Sequence, residues 1–150
     1  MTQAEERTQL HQRQCSRRLA LQAMYQWHLT QEKTQLLLEQ YQEDEYWPKA
    51  DHAYFNEIVS QSIKLIDDID DHINRASDYT TDKIDPIELS VLRISVYELI
   101  HCLNIPEKVI VAEAIRLCKK FGSNEGYKLV NVILDKLMKE FDRTKMLKKS

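Results

Sequence analysis

The sequence predicts an all-α fold, and three observations lead to it. Only two glycines and three prolines occur in 150 residues, too few for the tight turns of an all-β protein. Apolar residues recur at spacings of three and four, as on the buried face of a helix. Hydrophobic residues make up 43% of the chain and charged residues 30%, enough to form both a core and a solvated surface. We therefore expect residues 1–150 to form one helical domain.

The first helix is predicted over about residues 9–29. Met24 and Trp27 lie on its apolar face, and the same row of residues begins with Arg13 and Arg17. Because a core cannot easily hold charged side chains, we expect this helix to run past the core, with its basic end outside.

Within the acidic middle of the chain, the sequence pattern predicts a short helix followed by a long one. The short helix covers about residues 33–43 and is followed by a loop that carries Trp47 and Pro48. Apolar residues at helical spacing from Phe55 to Ile73 predict a single longer helix. The other side of this helix carries four aspartates, Asp67, Asp68, Asp70 and Asp71. They lack the ligand spacing and the turn glycine of a calcium-binding loop, so we expect them to form a solvated face.

Capping signals divide the C-terminal half into three helices. Residues 85–88, Asp-Pro-Ile-Glu, combine an N-cap residue, a proline at the first helical position and a glutamate in the first turn, close to a capping box. Residues 104–106, Asn-Ile-Pro, predict a break before the next helix. Gly122 predicts a left-handed helix end, and Ser123 is predicted to cap the last helix.

The net charge of −3 is unevenly distributed along the chain. Residues 1–30 carry four arginines and two acidic residues, and residues 31–90 carry five basic and fifteen acidic residues. Residues 91–150 carry twelve basic and seven acidic residues. Two basic ends could form a positive surface that binds a polyanion. The alternative is that charge simply alternates along solvated helices.

Sequence motifs for catalysis are missing. The chain has no glycine-rich phosphate loop, no dinucleotide-binding G-x-G-x-x-G and no G-x-S-x-G nucleophile elbow. The five histidines are scattered, and the three cysteines have no C-x-x-C spacing that would favour zinc. We therefore expect a protein that is not an enzyme and that uses no metal ion and no cofactor.

The apolar runs are far shorter than the roughly 20 residues that span a bilayer. The first 18 residues are polar and carry both signs of charge, unlike a secretion signal. These features predict a cytoplasmic protein without a membrane partner.

Two groups of residues could contact RNA. Arg13, Arg17 and Arg18 offer guanidinium groups, which bind phosphates bidentately. The last helix carries an aromatic ring, a cation and an amide within one short stretch, at Tyr127, Lys128 and Asn131. Proteins use this combination of side chains to bind single-stranded RNA. In the alternative interpretation, the tyrosine packs in the core, the lysine is solvated and the asparagine caps or packs.

Four segments together resemble the NusB family. In chain order they are R-R-L-A-L-Q-A-M-Y-Q-W-H-L at 17–29, I-E-L-S-V-L-R-I-S-V-Y-E-L at 87–99, I-P-E-K-V-I-V-A-E-A-I-R-L-C-K-K-F-G at 105–122 and Y-K-L-V-N-V-I-L-D-K-L at 127–137. Four blocks in the right order are more specific than any single motif. The resemblance implies an all-helical fold of two packed subdomains within one domain.

The resemblance also implies a transcription antitermination factor that binds the boxA element of nascent ribosomal RNA. Its implied partner is NusE, a small-subunit ribosomal protein, and the pair loads boxA into an RNA polymerase complex with NusA and NusG. The residues that match the family's RNA-contact positions are Arg13, Arg17, Arg18, Tyr127, Lys128, Leu129 and Asn131. Those that match its NusE surface are Tyr25 and Glu88. A monomer and a homodimer are both compatible with two basic ends around an acidic middle.

Departures from the family pattern keep other functions open. Gln14 and Cys15 interrupt the arginine run, Leu129 stands where phenylalanine is frequent, and Val132 stands where glycine is common. One alternative is a helical protein-protein adaptor without RNA binding. Another is the NusB-like module of a ribosomal-RNA cytosine methyltransferase. Such an enzyme needs an α/β cofactor-binding domain, which we do not expect in a chain of this length.

Overall fold

A computed structural model describes residues 1–143, 145 and 146, and all the regular structure of these residues is helical. The main α-helices are α1 (Gln3–Thr30), α2 (Thr34–Tyr41), α3 (His52–Lys64), α4 (Ile66–Ala76), α5 (Pro86–His101), α6 (Glu107–Phe121) and α7 (Gly126–Glu140). Short 3-10 helices occur at Trp47–Lys49 and Thr81–Lys83. No strand occurs in the described part of the chain, so the predicted all-α class is confirmed.

The chain divides into two compact helical units, unit 1 (Met1–Lys64) and unit 2 (Leu65–Ser150). Two helical units agree with the subdomains implied by the family resemblance. That residues 1–150 act as one domain stays a prediction. Among the described residues, no helix has both the length and the apolar character needed to cross a membrane.

Unit 1 is built on the contact between α1 and α3, with α2 packed against both. Helix α1 begins six residues before its predicted start, because Thr2 and Glu5 form a capping box that the apolar pattern does not reveal. The side chains that fill this core are fully buried: Leu19, Ala20, Ala23, Met24, Leu37, Phe55, Ile58 and Val59. The core therefore starts more than four helical turns after the helix does.

Gln31 ends α1 in the left-handed conformation, with φ 54° and ψ 29°. A side chain at this position is strained, because its Cβ crowds the neighbouring carbonyl. We expect Gln31→Gly to raise the free energy of unfolding by about 0.5 to 1 kcal/mol, measured by urea denaturation. Gln42 at the end of α2 is right-handed, so Gln42→Gly is the matched control and should not stabilise the protein.

The prediction of one continuous helix from Phe55 to Ile73 is wrong. Helix α3 ends at Lys64 and α4 begins at Ile66, because Leu65 adopts φ −102° and ψ 20°, outside the helical region. Apolar residues continue across this break at helical spacing, so periodicity alone cannot reveal it.

Unit 2 surrounds α5, which contacts α4, α6 and α7. Every residue from Glu88 to Leu99 is buried, including residues with charged side chains. Arg93 is one of them, and its Nε and Nη2 donate to the two carboxylate oxygens of Asp70 at 2.9 and 2.8 Å. The expectation that all four aspartates of α4 form a solvated face is therefore wrong for Asp70, which neutralises a buried guanidinium.

Candidate nucleic-acid interface

The three arginines near the start of unit 1's core lie against two tyrosines. The Arg13 guanidinium lies 4.7 Å from the centre of the Tyr54 ring, and that of Arg17 lies 5.4 Å from it. The Arg18 guanidinium lies 4.2 Å from the centre of the Tyr46 ring. We call these five residues the arginine–tyrosine cluster. Its cation–π contacts hold the guanidinium groups in place.

Hydrogen bonds between α1 and α3 position Tyr54 in this cluster. Ser16 Oγ donates to the Asp51 carbonyl oxygen at 2.7 Å and accepts from the Asp51 backbone N–H at 2.9 Å. The Asp51 carboxylate accepts from the Tyr54 backbone N–H at 3.1 Å and lies 3.9 Å from Arg13 Nε. The first turn of α3 is thereby fixed against α1, with the tyrosine ring over the arginines.

The expectation that the basic end of α1 lies outside is wrong for Arg17, which is only 2% exposed. Its Nη2 is 3.5 Å from the Tyr54 hydroxyl oxygen, to which it donates. Tyr54, which is itself buried, covers the Arg17 guanidinium. Arg17 is therefore not part of the accessible surface. Arg13 and Arg18 are half-buried and keep part of their surface accessible. Of the three arginines predicted to contact RNA, two are therefore accessible.

The start of α7 in unit 2 carries the second group of predicted RNA contacts. Tyr127 and Leu129 are half-buried, whereas Lys128 and Asn131 are exposed. Lys128 forms an ion pair with Glu125, three residues earlier. Val132, where glycine is common in the family, is exposed, so its side chain does not crowd the helix against the core.

Sequence reasoning missed two lysines at the end of α6. Lys119 Nζ lies 4.8 Å from the centre of the Tyr127 ring, and Lys120 Nζ lies 5.5 Å from the centre of the Phe121 ring. Both lysines are exposed. The adjacent Lys-Lys-Phe-Gly letters were a signal for them, but only the turn between α6 and α7 brings Lys119 to Tyr127. Together with Lys128, they give the α6–α7 junction three exposed lysines and two aromatic rings.

Of the two predicted partner contacts, Tyr25 is 38% exposed on α1 and stays a prediction. Glu88 is only 1% exposed. Its Oε1 accepts from the backbone N–H and from the hydroxyl of Ser123, both at 2.9 Å. The prediction that Glu88 lies on a partner surface is therefore wrong for its carboxyl group, which faces the inside of unit 2.

The residues around Glu88 also correct three predictions about helix ends. Ser123 does not cap α7, whose N-cap residue is Glu125, because the serine hydroxyl donates to Glu88 instead. The capping box predicted at Asp85 is incomplete: Asp85 accepts from the Ile87 N–H at 2.9 Å, but the glutamate side chain points elsewhere. Gly122 is extended, with φ −89° and ψ −172°, not left-handed.

Burial shifts the titration of the groups around Glu88. Burial raises the pKa of Glu88 above its ordinary value, and the adjacent Asp85 carboxyl group raises it further. The same pairing of carboxyl groups lowers the pKa of Asp85. Burial, and then the nearby Glu88 carboxylate, raise the pKa of Cys118 to about 12. The Cys118 thiol is therefore neutral at physiological pH, and Glu88 is held in a site that disfavours its charge.

Comparisons with known proteins agree with this architecture. The model of the NusB family matches residues 14–139. The chain is 42% identical over 125 residues to the transcription antitermination protein NusB of Coxiella burnetii (strain RSA 493 / Nine Mile phase I), an alignment that covers 83% of this chain and 91% of that protein. It is 38% identical over 122 residues to the protein of the same name from Pseudomonas fluorescens (strain Pf0-1), and this alignment covers 81% of this chain and 74% of that protein.

Solved structures share the fold. NusB of T. maritima superposes with a TM-score of 0.76 at 26% identity, covering 85% of this chain and 90% of that one. A crystal structure of the antitermination factors NusB and NusE in complex with dsRNA contains a chain that superposes on this one with a TM-score of 0.76 at 23% identity. The superposition covers 85% of this chain and 96% of that one.

Proposed function

This chain belongs to the NusB family, and we propose that it is a transcription antitermination factor that binds RNA together with NusE. In this proposal the RNA is the boxA element of nascent ribosomal transcripts. The two proteins load it into an RNA polymerase complex with NusA and NusG in the cytoplasm, and the chain needs no cofactor. The names of the relatives and the solved complex of NusB, NusE and dsRNA support this proposal.

The observation that carries RNA binding is the basic and aromatic surface at the junction of α6 and α7. Lys119 lies over the Tyr127 ring, and Lys128 and Asn131 are exposed on the following helix. An RNA base can stack on an aromatic ring while lysines contact its phosphates. Leu129 and Lys120 border this surface, and Arg13 and Arg18 are the proposed phosphate contacts of unit 1. Tyr25 is the proposed contact with NusE.

One observation favours a second candidate, a helical adaptor that binds NusE but not RNA. Arg17 is buried, and Arg13 and Arg18 already contact Asp51 and the tyrosines, so unit 1 has less free positive charge than its sequence suggests. Fewer phosphate contacts mean weaker RNA binding.

Binding of a fluorescent boxA-like single strand and of a scrambled strand, measured by anisotropy with and without NusE at two salt concentrations, tests the proposal. We expect selective binding that NusE strengthens and that falls steeply with salt. If neither strand binds even with NusE, while NusE itself binds, the chain is the adaptor.

Two lysines of α7 provide a matched pair of variants for this assay. Lys128→Ala is expected to reduce RNA affinity several-fold and to lower the salt slope by about 0.7, the value for one lost phosphate contact on a single strand. Lys139 is also exposed and pairs with an acid of its own helix, Asp135, at 3.2 Å. Lys139→Ala should therefore leave the affinity unchanged, and equal losses in both variants would contradict a localised site.

A further inference from the structure

Glu88 lies at the centre of a close contact between α5 and the loop that joins α6 to α7. Its Oε1 accepts two hydrogen bonds from Ser123, one from the backbone and one from the side chain. The two glycines of the chain, Gly122 and Gly126, both lie against the same carboxyl group. One buried side chain therefore contacts two residues of the loop, Gly122 and Ser123, and the first residue of α7, Gly126.

The glycines are explained by this close approach and not by an unusual backbone conformation. Neither has a positive φ. A Cβ atom on Gly122 would lie 2.6 Å from Glu88 Oε1, and one on Gly126 would lie 1.6 Å from it, far inside any van der Waals contact. The loop is shaped around the carboxyl group, and residues with side chains at these two positions would displace one or the other.

This contact leads directly to the proposed RNA surface. The Gly126 N–H donates to the Ser123 carbonyl oxygen at 3.2 Å, and the Lys128 N–H donates to the Glu125 carbonyl oxygen at 3.1 Å. These short-range bonds connect the segment held by Glu88 to the first turn of α7, which carries Tyr127 and Lys128. A shift of the loop would therefore move the aromatic ring and the lysine together.

We propose that Glu88 is a positioning residue that holds the α6–α7 loop, and through it Tyr127 and Lys128, in the geometry that binds RNA, without itself contacting RNA or a partner protein. This inference rests on the proposed function. It reassigns a residue that the family resemblance places on the NusE surface.

The chemistry of the site predicts which substitution is tolerated. The contact uses Oε1 as an acceptor, and the raised pKa shows that the buried site disfavours a negative charge. Glutamine keeps the acceptor oxygen and the length of the side chain without the charge. Alanine removes both the acceptor and the atoms that fill the space between the glycines.

The experiment compares Glu88→Ala, Glu88→Gln and a matched control, Asp70→Asn. The control disturbs a part-buried ion pair of unit 2, that between Asp70 on α4 and Arg93 on α5, which does not involve the α6–α7 loop. For each protein, hydrogen exchange of the Ser123 amide, RNA affinity with and without NusE, and binding to NusE are measured well below the melting temperature.

We expect Glu88→Ala to speed exchange of the Ser123 amide and to weaken RNA binding about tenfold, as when a base-stacking and a phosphate contact are both misplaced. Glu88→Gln should restore both properties to near the wild-type values. Asp70→Asn should lower stability but leave the Ser123 amide and RNA affinity unchanged. If Glu88→Ala does not fold, Ser123→Ala, which removes only the hydroxyl donor, should still weaken RNA binding several-fold.

Each other result has a distinct meaning. Wild-type RNA affinity in Glu88→Ala, or in Ser123→Ala where the first variant does not fold, overturns the positioning role while the proposed function stands. Loss of NusE binding with normal exchange at Ser123 also overturns it, because Glu88 would then be a partner contact. A wild-type protein that binds no RNA, either alone or with NusE, refutes the proposed function itself, and the inference with it.

Discussion

Gly126→Ala is expected to lower the free energy of unfolding by about 3 kcal/mol, the upper end of the range for overpacking a core. The new Cβ would lie 1.6 Å from Oε1, 2.4 Å from Cδ and 2.7 Å from Cγ of Glu88. Three atoms of a buried side chain are involved, so a rotation of its end cannot relieve the clash. Helix propensity alone predicts the opposite sign, since alanine is favoured over glycine in helices by about 1 kcal/mol.

Chemical denaturation of four proteins measures this effect: the wild type, Gly126→Ala, Glu88→Ala and the double variant. Because Glu88→Ala removes all three clashing atoms, we expect the double variant to be more stable than the sum of the two single effects predicts. A coupling free energy near zero would show that the two residues do not compete for the same space. The explanation of Gly126 by close approach would then be wrong.

Arg17→Ala is expected to lower the free energy of unfolding by about 2 to 3 kcal/mol, as is usual when a buried polar contact and its packing are both lost. Arg17 is nearly inaccessible, lies over the Tyr54 ring and donates to its hydroxyl. The variant leaves a cavity under Tyr54 and takes away a hydrogen-bond donor from a buried tyrosine.

Arg18→Ala is the control, because this neighbouring arginine is half-buried and stacks on Tyr46. Loss of its cation–π contact should cost about 0.5 to 1 kcal/mol. Thermal and urea unfolding measure both variants, and RNA anisotropy is recorded at a temperature where both are folded. Arg18→Ala should then bind RNA more weakly than Arg17→Ala. The reverse order would show that Arg17 is accessible to RNA after all.

Much of the secondary structure follows from local sequence. Asp85 and Pro86 start α5 as predicted, because an N-cap side chain and a fixed φ act within one turn. The breaks at 104–106 and at Gly122 are also placed correctly. The early start of α1 was readable as well, since Thr2 and Glu5 have the spacing of a capping box. These features depend on residues no more than four positions apart.

The candidate sites could be predicted only in part. The lysine and the aromatic residue at the start of α7 are local to one helix, and the family resemblance identifies them. Lys119 lies on a different helix, and its position over Tyr127 depends on the turn between them. The break at Leu65 has no proline or glycine to mark it, and the apolar pattern continues through it.

The amino-acid sequence by itself determined the helical class, most helix boundaries, the absence of the usual catalytic motifs and the family resemblance. Tertiary structure decided which polar residues are buried. Arg17 is covered by Tyr54, 37 residues away, and Glu88 is enclosed by Ser123, 35 residues away. The physical reason is that periodicity and capping act within a turn or two of helix. The accessibility of a side chain, and with it the choice between a binding and a positioning role, depends on distant segments that fold over it.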